Sequence, residues 1–143
     1  MSKSNLRIAV VGAGLGGSTA AALLQRQGFH VTLYEQAPAF ARVGAAIHLG
    51  PNLVKVLRVL GLEQEFLKSS VAMQNWVSRE WDTGEILLNY DVDGENRFGA
   101  HYLQAHRGDF HEAVTGAVDP ATVAFNKKLV GYELKDGKPE LSF

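Results

Sequence analysis

Cysteine is absent from the 143 residues, which excludes disulfide frameworks, thiolate zinc sites and cysteine nucleophiles together. Long apolar runs are missing as well. Ile8 to Val11 runs straight into glycines and is too short for a signal-peptide core or a membrane span, so a cytoplasmic location without a membrane partner is the default expectation. Excess charge of either sign is also lacking: 14 Lys and Arg stand against 15 Asp and Glu, for a net charge of -1. No electrostatic case therefore exists for a nucleic-acid partner. No internal repeat or low-complexity stretch interrupts the chain, and its length and 46% apolar content suit one folded domain.

What is present begins with a strand from Leu6 to Val11, read as a buried parallel strand because Ile8, Ala9, Val10 and Val11 offer no polar face. A glycine-rich turn follows. Leu15 to Gln27 then has helical spacing, with Ala20, Leu23 and Leu24 on one face and a stop at Gly28, and Val31 to Tyr34 supplies a second strand. The order strand, turn, helix, strand is that of a βαβ unit.

At the first junction stands Gly12-Ala13-Gly14-Leu15-Gly16-Gly17, a G-x-G-x-x-G pattern. Gly12 permits the tight turn, Gly14 lets the backbone approach a diphosphate, and Gly17 lets the helix lie close to the sheet. The first helical amides, from Leu15 onward, then meet the phosphate charge. Glu35 ends the second strand, where a carboxylate can accept hydrogen bonds from ribose hydroxyls, so the combination predicts dinucleotide binding. An acid there also disfavours the phosphorylated ribose of NADP.

Farther along, Pro51 opens a helix whose stripe is Leu53, Val56, Leu57 and Leu60, ending at Gly61. Two β-like runs between Asn75 and Tyr90 flank Asp82-Thr83-Gly84, read as a three-residue hairpin loop. Phe110, Ala113, Val114 and Ala117 mark another helix, broken by Pro120 before a short strand at Thr122 to Phe125. Lys135-Asp136-Gly137-Lys138 is the turn of a terminal hairpin. Trp76, Trp81, Tyr90, Phe98 and Tyr102 are assigned to cross-strand packing. His101, His106 and His111 lack a ligand-like partner set, so surface or capping roles are expected and no metal site.

The segment Gln36-Ala37-Pro38 through Arg42-Val43-Gly44-Ala45-Ala46-Ile47-His48 to Pro51-Asn52 resembles the single-component flavoprotein hydroxylases of aromatic rings, the class of salicylate hydroxylase and 6-hydroxynicotinate 3-monooxygenase. Those enzymes have E-x-A-P, then R-x-G-A-G-I, then a P-N helix. His106-Arg107-Gly108-Asp109-Phe110-His111 is similar to their H-R-x-D-L-H. The resemblance implies an α/β fold: an FAD-type, three-layer Rossmann unit carrying an antiparallel excursion. It implies FAD as cofactor and NADH as co-substrate, with dioxygen and a small aromatic hydroxy acid as substrates. For a 6-hydroxynicotinate or salicylate substrate, hydroxylation would accompany loss of the carboxyl group.

By the same resemblance Glu35 holds the adenosine ribose, while Arg42, Ala46 and Arg107 lie along the FAD and His48 stands by the substrate. A guanidinium suits phosphate oxygens, and an imidazole can bind or deprotonate a ring hydroxyl near neutral pH. The bland reading of His48 is a histidine packed in a loop. Ala46 departs from the family's glycine, which narrows the backbone freedom of that loop.

The expected organisation is a single FAD-binding segment over residues 1–143, with 1–74 and 103–143 forming the Rossmann part and 75–102 the antiparallel excursion. The family's later segments, one with a D-G pair after its β-meander and one with a G-D stretch that meets the flavin's ribityl chain, have no counterpart in these residues, so the sequence reads as an amino-terminal portion ending within that meander. An open sheet edge and a tendency to self-associate are expected from that. Two alternatives stand beside the monooxygenase reading. One is a non-catalytic module holding FAD or NAD; the other is an NAD-dependent dehydrogenase, which gives no reason for the Arg42 to Asn52 pattern.

Overall fold

The computed structural model describes residues 6–143. In chain order these form β1 (Arg7–Val11), α1 (Leu15–Arg26), β2 (His30–Tyr34), β3 (Ala46–Leu49), α2 (Pro51–Leu60), α3 (Glu63–Lys68), β4 (Val71–Ala72) and β5 (Asn75–Arg79). There follow β6 (Ile86–Asp91), α4 (Gly94–Phe98), β7 (Leu103–His106), α5 (Arg107–Gly116), β8 (Val123–Ala124), β9 (Gly131–Lys135) and β10 (Lys138–Ser142). They fall into two units: the chain up to Arg42 together with His111–Phe143, and Val43–Phe110. The division lies inside α5, and the excursion expected at 75–102 lies within the second unit.

In the first unit a parallel sheet runs in the order β1-β2-β8, with Val11 opposite Tyr34 and Leu33 opposite Val123. Val31 and Leu33 of the central strand are buried. β1 corrects the sequence expectation: it is an edge strand, and Ala9 and Val11 are exposed. Its apolar run is continuous, yet no element among the described residues pairs with its outer side. On α1 the buried residues are Ser18, Ala21 and Ala22, and Ala20 is exposed, contrary to the expected face. Small side chains form the inner stripe because the helix lies close to the strands. The β9–β10 hairpin turns at Asp136 and Gly137, both with positive φ, as a two-residue primed turn requires.

The second unit holds an antiparallel sheet in the order β3-β7-β4 and a separate β5–β6 hairpin. α2 has Pro51 in its first turn and Gly61 as a left-handed cap, as expected; Leu57 and Leu60 of the predicted stripe are buried, but Leu53 and Val56 are only partly covered and Val54 takes the remaining core position. Phe66 and Phe110 pack at 5.6 Å between centroids. The guanidinium of Arg58 forks onto Glu63, with Nε to Oε2 at 2.6 Å and Nη2 to Oε1 at 2.8 Å, tying the end of α2 to the start of α3. That hydrogen-bonded guanidinium holds the Glu63 carboxyl below the usual carboxylate range.

Two further expectations are corrected here. The β5–β6 loop is Trp81–Gly84, one residue longer than read, because Glu80 and Glu85 still pair through the Glu80 amide at 2.8 Å. The cross-strand packing expected of the aromatic residues holds for Trp76 and Tyr90, which are partners though about half exposed, but not for Trp81, which is 90% exposed, or for Phe98, which is exposed at the end of α4. All residues of both hairpin strands are exposed, and the rings gain their further contacts from single side chains: Arg97 lies over Tyr90 and Phe98, with its guanidinium 5.5 Å and 5.3 Å from the ring centroids.

Candidate functional site

Parallel pairing of β1 with β2 places the glycine turn and Glu35 at the same end of the sheet. Gly12 has φ +91°, and its amide donates to the Tyr34 carbonyl at 2.8 Å, turning the chain out of β1. A Cβ on Gly17 would lie 1.9 Å from the Gly12 carbonyl oxygen, so only glycine permits this approach of α1 to the turn. Gly14 differs: its φ is -71° and a Cβ there would meet no atom within 4 Å. No side chain caps α1, and no acid stands in its first turn, so the positive end of the helix is left for an anion.

Glu35 is fixed at both oxygens. Oε2 accepts from the Ala13 amide at 2.7 Å and Oε1 from the Ala37 amide at 2.8 Å. The Ala37 amide chiefly, with the Ala13 amide adding to it and partial burial opposing, holds this carboxyl below its ordinary range. A carboxylate offers about four lone-pair positions, so two amides leave room for two hydroxyl donors. The backbone of Glu35 is held as well, its amide on Ala124 and its carbonyl on Lys127.

The Ala13 carbonyl accepts from Ser18 Oγ at 3.1 Å and from His111 Nε2 at 2.7 Å. Sequence reasoning missed both, and it gave His111 only a surface or capping role. The contact joins residues 98 apart, which no local pattern announces. His106 does cap: its Nδ1 accepts from the Gly108 amide at 3.1 Å at the start of α5. His101 lies 3.2 Å from Glu95.

Of the other predicted residues, Arg42 is exposed at the end of the first stretch of the first unit, and Ala46, His48 and Arg107 belong to the second. Ala46 is the first residue of β3, opposite His106, so it lies in a strand and not in a loop of unusual backbone. The special conformation falls at Gly44, with φ +142°, where a Cβ would sit 2.8 Å from that of Arg107. Arg107 lies along this glycine, donates its amide to Ala45 and donates from Nη1 to the Val43 carbonyl at 2.9 Å.

His48 is exposed on β3, opposite Gln104, which corrects the loop reading. Its Nδ1 is 3.1 Å from Met73 Sδ, and its ring lies 5.5 Å from Trp76 and 6.2 Å from Tyr102. A thioether can only accept, so this contact is a hydrogen bond when Nδ1 carries the hydrogen, leaving Nε2 as the basic nitrogen. The sequence suggested His48, but not that Trp76 and Tyr102 would stand beside it.

Strand, glycine turn, helix, strand and terminal acid make the first unit a Rossmann dinucleotide-binding unit, and residues 10–54 match the NAD(P)-binding Rossmann-like domain family. By sequence the chain is related to the amino-terminal portion of FAD-dependent aromatic-ring monooxygenases. It is 46% identical over 139 residues to 6-hydroxynicotinate 3-monooxygenase of Bordetella bronchiseptica, covering 96% of this chain and 36% of that protein. It is 34% identical to 3-amino-4-hydroxybenzoate 2-monooxygenase of Streptomyces cremeus, covering 97% and 36% respectively. Among solved structures, 2,6-dihydroxypyridine-3-hydroxylase from Arthrobacter nicotinovorans superposes with TM-score 0.79 at 27% identity, over 99% of this chain and 34% of that one. HpxO of Klebsiella pneumoniae complexed with FAD and uric acid shares the fold, with TM-score 0.84 at 22% identity over 99% and 36%. The chain thus spans about a third of the length of these relatives.

Proposed function

We propose that this chain is the FAD-binding portion of a flavoprotein monooxygenase that hydroxylates a small aromatic hydroxy acid with NADH and dioxygen. The substrate is of the 6-hydroxynicotinate or salicylate type, with loss of the carboxyl group on hydroxylation. The observation that carries this reading is the 46% identity, over nearly the whole chain, to a 6-hydroxynicotinate 3-monooxygenase.

The first unit fits the adenosine diphosphate half of FAD. The uncapped amides at Gly14 and Leu15 suit the diphosphate, the open space over Gly14 admits it, and the two remaining acceptor positions of Glu35 suit ribose hydroxyls. Arg42, Ala46 and Arg107 are assigned to the cofactor by the family pattern. When bound, the flavin would supply hydride acceptance and oxygen activation, leaving placement and proton handling to the protein. His48 is the residue for that proton: with hydrogen on Nδ1 toward Met73, Nε2 is the nitrogen that takes it, and the Trp76 and Tyr102 rings beside it suit an aromatic substrate.

Gly14→Val tests the cofactor site without disturbing the fold, because the native φ suits valine and the added Cβ meets nothing. The wild-type chain should bind FAD in a fluorescence titration, and the variant should keep its melting temperature while losing affinity at least about a hundredfold, the scale of a side chain displacing charge-assisted phosphate contacts. Undiminished FAD binding by Gly14→Val would remove the turn from the site.

A further inference from the structure

We infer that His111 is a positioning residue for the glycine turn: its Nε2–H fixes the Ala13–Gly14 peptide and so aims the Gly14 amide at an incoming diphosphate. The aim at a diphosphate rests on the function proposed above; the fixing of the peptide does not.

The carbonyl of Ala13 and the N–H of Gly14 lie on opposite edges of one planar trans peptide, so orienting one orients the other. Rotating that plane by half a turn would carry Gly14 from φ -71° into the positive region. For most residues the side chain forbids this, but glycine tolerates it at little cost. The sequence pattern that makes room for phosphate therefore also frees the peptide to turn the wrong way. Hydrogen bonds must supply the missing constraint.

Two donors meet on the Ala13 oxygen. Ser18 Oγ reaches it from within α1 at 3.1 Å, and His111 Nε2 reaches it from α5 at 2.7 Å. A carbonyl only accepts, so the ring must carry hydrogen on Nε2. The Ala13 amide, on the preceding peptide, is held by Glu35, so both planes flanking this buried alanine are pinned. Phe40 packs edge-on against the His111 ring at 5.6 Å and 84°, and is itself edge-on to Phe125 at 4.9 Å, which fixes the plane of the imidazole. His111 thus acts through Ala13 and touches no phosphate. The function class to which it belongs is alignment of a main-chain anion site.

The test compares His111→Leu, which removes the donor, with His111→Gln, whose side-chain amide can donate from a similar reach. Val118→Ala, a buried change in the same unit, serves as a control for general loss of stability. In the uniformly labelled chain without nucleotide, the imidazole nitrogens of His111 should report hydrogen on Nε2. The Gly14 amide resonance should shift in the Leu variant, return toward wild type in the Gln variant, and stay put in Val118→Ala. Titration with FAD, and with ADP as a probe carrying ribose and diphosphate alone, should weaken roughly three- to tenfold in Leu, the scale of one hydrogen bond, and recover in Gln. Val118→Ala should lower the melting temperature without that loss. An unmoved Gly14 amide in His111→Leu would overturn the inference, as would equal nucleotide affinity in Leu and wild type. If wild type binds neither nucleotide, the proposed function fails, while the Gly14 resonance still decides the role of His111.

Discussion

The glycine corner of the first unit and the His48 face of the second are built by opposite means. At the corner the working groups are main chain: the Gly12 amide on Tyr34, the Ala13 amide on Glu35, the Ala13 carbonyl on Ser18 and His111. Around His48 they are side chains, with Met73, Trp76 and Tyr102 meeting an exposed imidazole. A main-chain site tolerates almost no change in backbone geometry and is therefore written into glycine spacing. A side-chain face depends on which strands pair, and its members can change with little cost to the fold.

The sharpest way to break this contrast is Gly17→Ala. Its Cβ would fall 1.9 Å from a backbone oxygen, and neither the turn nor the first turn of α1 can yield without losing the geometry of the corner. The expected loss is at least about 1–3 kcal/mol, the range for an overpacked interior. Thermal unfolding should show a large drop in melting temperature together with lost FAD binding, whereas Gly14→Val loses binding alone. Equal stability of Gly17→Ala and wild type would mean that α1 does not lie so close to the turn.

This division matches what could be read from the sequence. The βαβ unit, the Pro51 to Gly61 helix and the Asp136-Gly137 turn were legible because each is set by residues within a turn or two of one another. β3 was not, since Ala46–Leu49 is too short to show a period and becomes a strand only by pairing with Leu103–His106. The exposure of β1 was hidden for a similar reason: an apolar run records what a strand can bury, and its position at the sheet edge decides what it does bury. In the candidate site the glycines and Glu35 were plain. His111 and Ser18 were not, because a hydrogen bond to a carbonyl leaves no mark on the sequence around it.

A smaller effect separates charge from shape at the corner. The amides of Ala37 and Ala13 depress the carboxyl pKa of Glu35 in the folded chain, so its stabilising contribution is present above the ordinary carboxylate range and is lost as pH falls through the lowered folded value. Glu35→Gln should therefore be less stable than wild type near neutral pH by on the order of 1 kcal/mol, allowing for its partial exposure. The gap should narrow as the pH drops below about 4. Urea unfolding of both proteins at pH 7 and pH 3 measures it, and a constant gap would mean that the carboxylate charge contributes nothing to holding the turn.

The smallest effect on the fold belongs to the other face. Trp76 is 46% exposed, pairs across the hairpin with Tyr90, and lies on a hairpin whose residues are exposed on both faces. Its removal leaves no cavity, so Trp76→Ala should cost less than about 1 kcal/mol, as surface changes generally do. The ring nevertheless stands 5.5 Å from that of His48, so the His48 ring proton resonances should move clearly while the melting temperature barely changes. A large fall in stability would place Trp76 in the core after all and erase the distinction between the two regions. Small stability changes with altered His48 resonances would instead identify a face free to vary in the rings it presents, built beside a corner whose backbone cannot.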